Sequence, residues 1–277
     1  MSTRPLSFLA ADCPYEAAKV VIFGVPLERT VSYRGGPAQA PAAIRLASDS
    51  VESYSALFQA DLSEIGVCDL GDLDPHASLS DVLHSVEREV GRIVRAGKAP
   101  VVLGGEHTVT LGAVRGAQAA VGKLQLLALD AHSDLRDDYE GARVCHATVL
   151  RRCQEVVEGL IIVGARSFYG GEVDEPVFAR VEELAERLAP ALPVWLSLDL
   201  DALDPALCPG VTNPEPGGLS YHQVIEIFRA LRSFRVVGMD LVELAPPYDP
   251  SGVSAITAAK LIIEAICALW APARKRA

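Results

Sequence analysis

The chain has no CxxC pair, no Walker A or GxGxxG loop, no Gly/Ser-rich linker and no internal repeat. Without a phosphate-binding loop, nucleotide binding has no support. Without a linker or composition shift, residues 1–277 read as a single domain. Six cysteines stand at irregular spacings (Cys13, Cys68, Cys145, Cys153, Cys208 and Cys267) and read as thiols of a reducing compartment. Positive charge is also short: 25 Lys and Arg face 36 Asp and Glu, a net charge of -11. Such a surface repels phosphate backbones, so nucleic acid is not an expected partner, and a cationic substrate suits it better. Long apolar runs are missing too. The short apolar stretch after Arg4 is interrupted by Asp12 and does not resemble a signal peptide. The apolar segment 261–270 contains Glu264 and is too short to span a bilayer. No membrane association and a cytoplasmic location are therefore expected. The basic residues 274–276 read as a solvated end.

Half of the residues are hydrophobic, ample for a sizeable core. Apolar, β-branched runs at 19–25, 65–70, 99–103, 124–129, 160–163, 194–198 and 236–239 each end in a turn signal. Between them lie segments of helical period. The clearest is 81–96, where Val82, Val86, Val90, Ile93 and Val94 form one stripe; 176–188, 221–231 and 254–269 read similarly. Strands alternating with helices predict an α/β fold: a three-layer α/β/α domain around a mainly parallel sheet of about eight strands.

Ligands of open parallel sheets bind beyond the carboxyl ends of the strands. After 99–103 comes Gly104-Gly105-Glu106-His107-Thr108, where two glycines permit a tight turn that carries His107 over the sheet edge. After 124–129 comes Asp130-Ala131-His132-Ser133-Asp134. In extended backbone alternate residues share a face, so Asp130, His132 and Asp134 are expected to point the same way. After 194–198 comes Asp199-Leu200-Asp201, with two more carboxylates on one face. A lone His after a strand is usually a hydrogen-bonded loop residue, and a lone DxD is usually a cap or turn. The three fragments together place many ionisable groups at the ends of buried strands, where desolvation demands compensation. Four carboxylates and two imidazoles exceed the ligand set of one catalytic zinc. They suit two divalent cations bridged by carboxylates, and the oxygen-rich set favours Mn²⁺. The predicted metal set is His107, Asp130, His132, Asp134, Asp199 and Asp201, holding two Mn²⁺ per chain. Glu106 is not expected to be a ligand. Asp72 and Asp74 read as turn residues, and His76, His84 and His222 as surface.

The trio GGEH, DAHSD and SLDLD resembles the signature set of the ureohydrolase family of arginases, agmatinases and related guanidino hydrolases. Gly24-Val25-Pro26, Ser32-Tyr33-Arg34-Gly35-Gly36-Pro37 and 41–45 are similar to its N-terminal segment. Residues 213–219 and 242–249 resemble its agmatinase branch. The likeness runs from about residue 20 to about residue 265. It implies an arginase-like fold, a manganese-dependent hydrolase that forms urea and an amine, and a trimeric or hexameric homo-oligomer. It also implies roles for three residues. His146 moves a proton to the leaving amine, Glu243 grips the guanidinium, and Asp134 hydrogen-bonds the attacking hydroxide. Ala147 and Ala40 stand where the family usually has Gly, and Asn213 where Thr is common; none of these touches a ligand. A zinc deacetylase needs only one Asp–His–Asp set, and a non-catalytic relative usually loses ligands, so both rivals fit less well. The expected substrate is agmatine, giving putrescine and urea, with aminopropyl-agmatine, guanidinobutyrate and arginine as alternatives. Three acids near Arg136 (Asp137, Asp138 and Glu140) are expected to repel a substrate carboxylate and to hold Arg136 in a salt bridge.

Overall fold

Val-, Ile- and Leu-rich runs become the strands of one parallel sheet. A computed structural model describes residues 6–170, 172 and 176–272. The N-terminal residues 1–5 and the basic end 274–276 lie outside the described residues. In chain order the strands are β1 (Val20–Val25), β2 (Tyr54–Ser55), β3 (Ala60–Asp61), β4 (Val67–Asp72), β5 (Ala99–Gly104), β6 (Gln125–Leu129), β7 (Gly159–Val163), β8 (Phe178–Ala179), β9 (Val194–Asp199) and β10 (Val236–Val242). The helices are α1 (Ala40–Ser48), α2 (Leu79–Arg95), α3 (Val109–Val121), α4 (Val149–Gln154), α5 (Leu184–Arg187), α6 (Tyr221–Leu231) and α7 (Val253–Trp270). Eight strands form the main sheet in the order β4-β1-β5-β10-β9-β6-β7-β8, while β2 and β3 pair apart as a small antiparallel ribbon.

Alternation along each strand sends side chains to two cores. In β6, Leu127 and Leu129 face the layer of α1, α6 and α7, whereas Leu126 and Ala128 face α2, α3 and α4. Both sheet faces are thereby covered, which is why the strands read as near-continuous apolar runs rather than alternating ones. Helix α7 has the length and mean hydropathy (1.8) of a membrane span, but 67% of it is buried. Its Glu264 is buried as well, with Lys260 at 3.1 Å and the Ser55 hydroxyl donating to it.

One expectation is corrected, and three helices are added. Residues 176–188 are not one helix. Phe178 and Ala179 extend the sheet by pairing with Ile162 and Val163, and only Leu184–Arg187 is α-helical. Pairing with the open edge of β7 satisfies backbone groups that the local helical pattern left free to go either way. Helices α1, α3 and α4 carry no clear stripe in the sequence. Part of the reason is close packing: a Cβ on Gly116 of α3 would lie 2.3 Å from the Glu87 carbonyl of α2.

The four central strands β5, β10, β9 and β6 are neighbours, and their carboxyl ends bring His107, Glu243, Asp199 and Asp130 to one edge. Gly105 makes the His107 turn possible, because a Cβ there would fall 2.0 Å from the Leu27 carbonyl oxygen.

Candidate metal centre and active site

All eight residues singled out in the sequence meet at this edge. His107, His132, Asp134, His146, Asp199, Asp201 and Glu243 line one cavity of about 290 Å³, and Asp130 is buried against His107 and His132. The convergence of Asp130 and Asp134 does not come from strand alternation. Asp134 sits in the left-handed region at φ 50, so the chain turns after β6 and returns its carboxylate to His107. Glu243 is likewise left-handed, at φ 66. Such conformations cost about 1–3 kcal/mol each and concentrate at functional sites.

His107 Nδ1 lies 3.2, 3.1 and 3.3 Å from carboxylate oxygens of Asp130, Asp134 and Asp199. The other ring nitrogen carries a proton of its own. Asp240 receives Trp195 Nε1–H at 2.6 Å, the Ser197 hydroxyl at 2.6 Å and the Thr110 hydroxyl at 3.0 Å. The proton of Ser197 is thus spent on Asp240, so Ser197 accepts from His107 Nε2–H at 3.2 Å. Burial opposes a charged ring, but the hydrogen bonds and charges of Asp130 and Asp134 raise the His107 pKa well above its ordinary value, so in the protein alone a proton on Nδ1 faces the carboxylates. A cation held by these residues would take the place of that proton against a neutral ring.

Two ligand groups emerge, His107-Asp130-Asp199 and Asp130-His132-Asp201, and they share Asp130. Asp130 Oδ2 is buried and has no hydrogen-bond donor among the described residues. The ionisation balance agrees. Burial, then the charges of Asp201 and Asp130, push the Asp199 carboxyl well above its ordinary range. Burial and Asp130 raise Asp134 to about 6. Burial works against a charged His132, yet hydrogen bonds with Asp130 and Asp201 raise it to about 12. In the protein alone these charges are met by protons held on His132 and on the carboxyls, and bound divalent cations would take the place of those protons. The residues therefore fit a two-cation centre, in which Asp130 would be common to both ligand groups.

The Ser197–Asp240 buttress gives one expectation. An amide at position 240 cannot accept from all three donors, so Asp240→Asn is expected to free the His107 tautomer and weaken Mn²⁺ binding by about 10–100-fold. Titrating the metal-free variant with Mn²⁺ checks this; unchanged affinity would show that the buttress does not tune the metal.

Above the cluster, the Glu243 carboxylate accepts from the His107 backbone N–H and from the Thr212 hydroxyl. Burial raises it to about 8, although both hydrogen bonds oppose the rise. His146 is buried, and its ring contacts Thr30 and Ser32. Glu106 is not a ligand: its carboxylate accepts from Arg29, Thr30 and Thr108.

The rim departs from expectation at Arg136. Asp137 turns outward to Arg152 at 2.8 Å, and Asp138 caps Gly141 N–H at 2.9 Å. Arg136 makes no ion pair among the described residues. It lies between the rings of Tyr139 (5.1 Å) and Tyr169 (4.4 Å) at the cavity wall, a cation–π arrangement that replaces the expected salt bridge. Asp72 does pair with a cation, Arg45, and Asp74 caps its own turn. Thr212 and Asp240 carry no signal in the sequence that singles them out, and Ser197 enters only as the first residue of SLDLD, with no role of its own. Arg166 stands out no more, yet its guanidinium ties the Asp201 and Glu215 carbonyls together at 2.8 and 2.6 Å.

A doubly covered parallel sheet with a carboxylate–imidazole cluster and a buried acid beside it is the arrangement expected of a metal-dependent hydrolase of the ureohydrolase type. The chain belongs to the arginase family, whose model matches residues 18–268, and within it to the agmatinase branch. It is 34% identical to the agmatinase of Bacillus cereus, over 93% of this chain and 94% of that one. It is 37% identical to an N(1)-aminopropylagmatine ureohydrolase of Thermus thermophilus, over 94% of each. The crystal structure of agmatine ureohydrolase from Thermoplasma volcanium superposes with a TM-score of 0.88 at 34% identity, covering 96% of this chain and 94% of that one.

Proposed function

We propose that this protein hydrolyses the guanidino group of a small linear guanidino compound, agmatine first, to urea and an amine, with two Mn²⁺ ions at the cluster. The observation that carries this reading is the buried Glu243 carboxylate facing the same cavity as two ligand groups joined through Asp130. When bound, the cations supply a nucleophile at neutral pH by acidifying water. The chain's own groups do the rest. Glu243 accepts paired hydrogen bonds from the planar guanidinium and orients its carbon over the cluster. Asp134, facing the cavity, accepts a proton there, and His146 returns one to the leaving nitrogen. Oxygen donors outnumber nitrogen donors, which favours Mn²⁺ over softer-ligand metals.

For the tail, the relatives named as agmatinases support agmatine, and Glu215 at the cavity wall offers a carboxylate for its ammonium group. The second reading is guanidinobutyrate, favoured by the Arg136 guanidinium at the same wall. Urea release from agmatine, aminopropyl-agmatine, guanidinobutyrate and arginine, with Mn²⁺ added, separates them. Agmatine is expected to give the highest kcat/KM. Guanidinobutyrate as best substrate reassigns Arg136 to tail binding, and arginine as best substrate refutes both readings of the tail.

A further inference from the structure

Beside the metal cluster, a hydrogen-bonded chain runs from Glu106 through Thr30 and His146 to Ser32. Glu106 is fully buried. Four donors reach its two oxygens: the backbone N–H groups of Arg29 (2.5 Å) and Thr30 (2.7 Å), and the hydroxyls of Thr30 (2.9 Å) and Thr108 (2.8 Å). Glu106 acts as acceptor in all four, so the single hydroxyl proton of Thr30 is committed to it. The lone pairs of Thr30 Oγ1 are left to accept. Two His146 nitrogens lie within reach, the backbone N–H at 3.1 Å and the ring Nδ1 at 3.2 Å. Nδ1 therefore carries the proton of the neutral ring, and Nε2 presents a lone pair. That lone pair meets Ser32 Oγ at 3.1 Å, and Ser32 and His146 both line the cavity. Tyr139 stands edge-on to the imidazole, with centroids 5.7 Å apart, and limits its rotation. Burial lowers the His146 pKa below its ordinary value, so the ring rests neutral.

We propose that Thr30 is a positioning residue that fixes His146 as the Nδ1–H tautomer, and that the Ser32 hydroxyl connects Nε2 to the leaving nitrogen of the substrate. The proposal rests on the hydrolase reading above and adds the route of the proton. A proton arriving at Ser32 Oγ from the cavity is matched by transfer of the hydroxyl's own proton to Nε2. His146 is then an imidazolium with both nitrogens protonated. The reverse transfer gives a proton to the departing amine and returns the ring to neutral, so protons balance over the cycle. Thr30 holds the imidazolium without gaining or losing a proton.

Thr30→Val keeps the side-chain shape and removes the hydroxyl, whereas Thr30→Ser keeps the hydroxyl. With agmatine and Mn²⁺, T30V is expected to lower kcat by about tenfold or more with KM changed by less than about threefold, and T30S to recover most of the loss. Ser32→Ala is expected to lower kcat similarly while leaving the tautomer intact. The ¹⁵N shifts of the His146 imidazole in the full chain, assigned by difference from His146→Gln, read the tautomer without turnover. Nδ1–H in the wild type, lost or mixed in T30V, is the expected result. An Nε2–H wild-type ring, or a T30V kcat within about twofold of wild type, overturns the proposal. The wild-type spectrum decides the tautomer even if T30V does not fold. Absence of urea from every guanidino compound would count against the hydrolase reading, and the spectrum distinguishes that failure from failure of the relay.

Discussion

Asp130→Ala is expected to strip both cations from the protein and to reduce urea release by at least about a thousandfold, some 4 kcal/mol of transition-state stabilisation. The size of the effect follows from sharing. Asp130 belongs to both ligand groups, one oxygen lying 3.2 Å from His107 Nδ1 and the other 3.7 Å from His132 Nδ1. Removing it leaves His107 with Asp134 and Asp199 on one side and His132 with Asp201 on the other, with no ligand common to both groups. Folding is expected to survive, because the substitution removes one of several mutually repelling carboxylates from a buried cluster. Metal content by elemental analysis, urea release and a melting curve on one preparation check the three parts. Near-normal turnover would remove Asp130 from the metal set.

Glu243→Gln is expected to spare the metals and still lower kcat/KM by about 10²–10³-fold, through loss of charge and of one acceptor toward the guanidinium. Glu243 already accepts from the His107 backbone N–H and the Thr212 hydroxyl, which hold its carboxylate in one orientation. Gln keeps the shape but turns one oxygen into an amide donor. That amide can donate to the Thr212 hydroxyl, which then accepts, but toward the guanidinium one acceptor oxygen and the negative charge are lost. Two bound cations together with depressed kcat/KM assign Glu243 to the substrate. A fall in metal content equal to the fall in activity would assign it to the metal set instead.

Much of this centre is legible without the fold, for a physical reason. The metal ligands come in short runs directly after buried strands, where three ionisable groups in five residues are too costly to bury unless a cation compensates them. His146 and Glu243 are legible only by resemblance, since a single His or Glu on a loop has many ordinary uses. Ser197, Asp240, Thr110 and Thr212 are not legible. They are common polar residues whose roles arise from partners 31 to 130 positions away, as in Thr212 with Glu243 and Thr110 with Asp240. Arg136 misleads because closeness in sequence is not closeness in space: its acidic neighbours turn outward while the guanidinium stays at the cavity wall. At the level of the fold, long periodic segments such as α2 and α6 declare themselves. The glycine-bearing face of α3 and the edge strand β8 do not, because close approach to α2 and pairing with β7 decide them.

The central claim is that two cations, joined by Asp130, act with Glu243 on a guanidinium group. It is tested most directly by titrating the metal-free full chain with Mn²⁺ while following bound metal and urea release from agmatine together. The account predicts two equivalents bound per chain, with full activity reached only when both are in place. Full activity at one equivalent, or two equivalents bound with no urea formed from agmatine or any other guanidino compound tried, would contradict it.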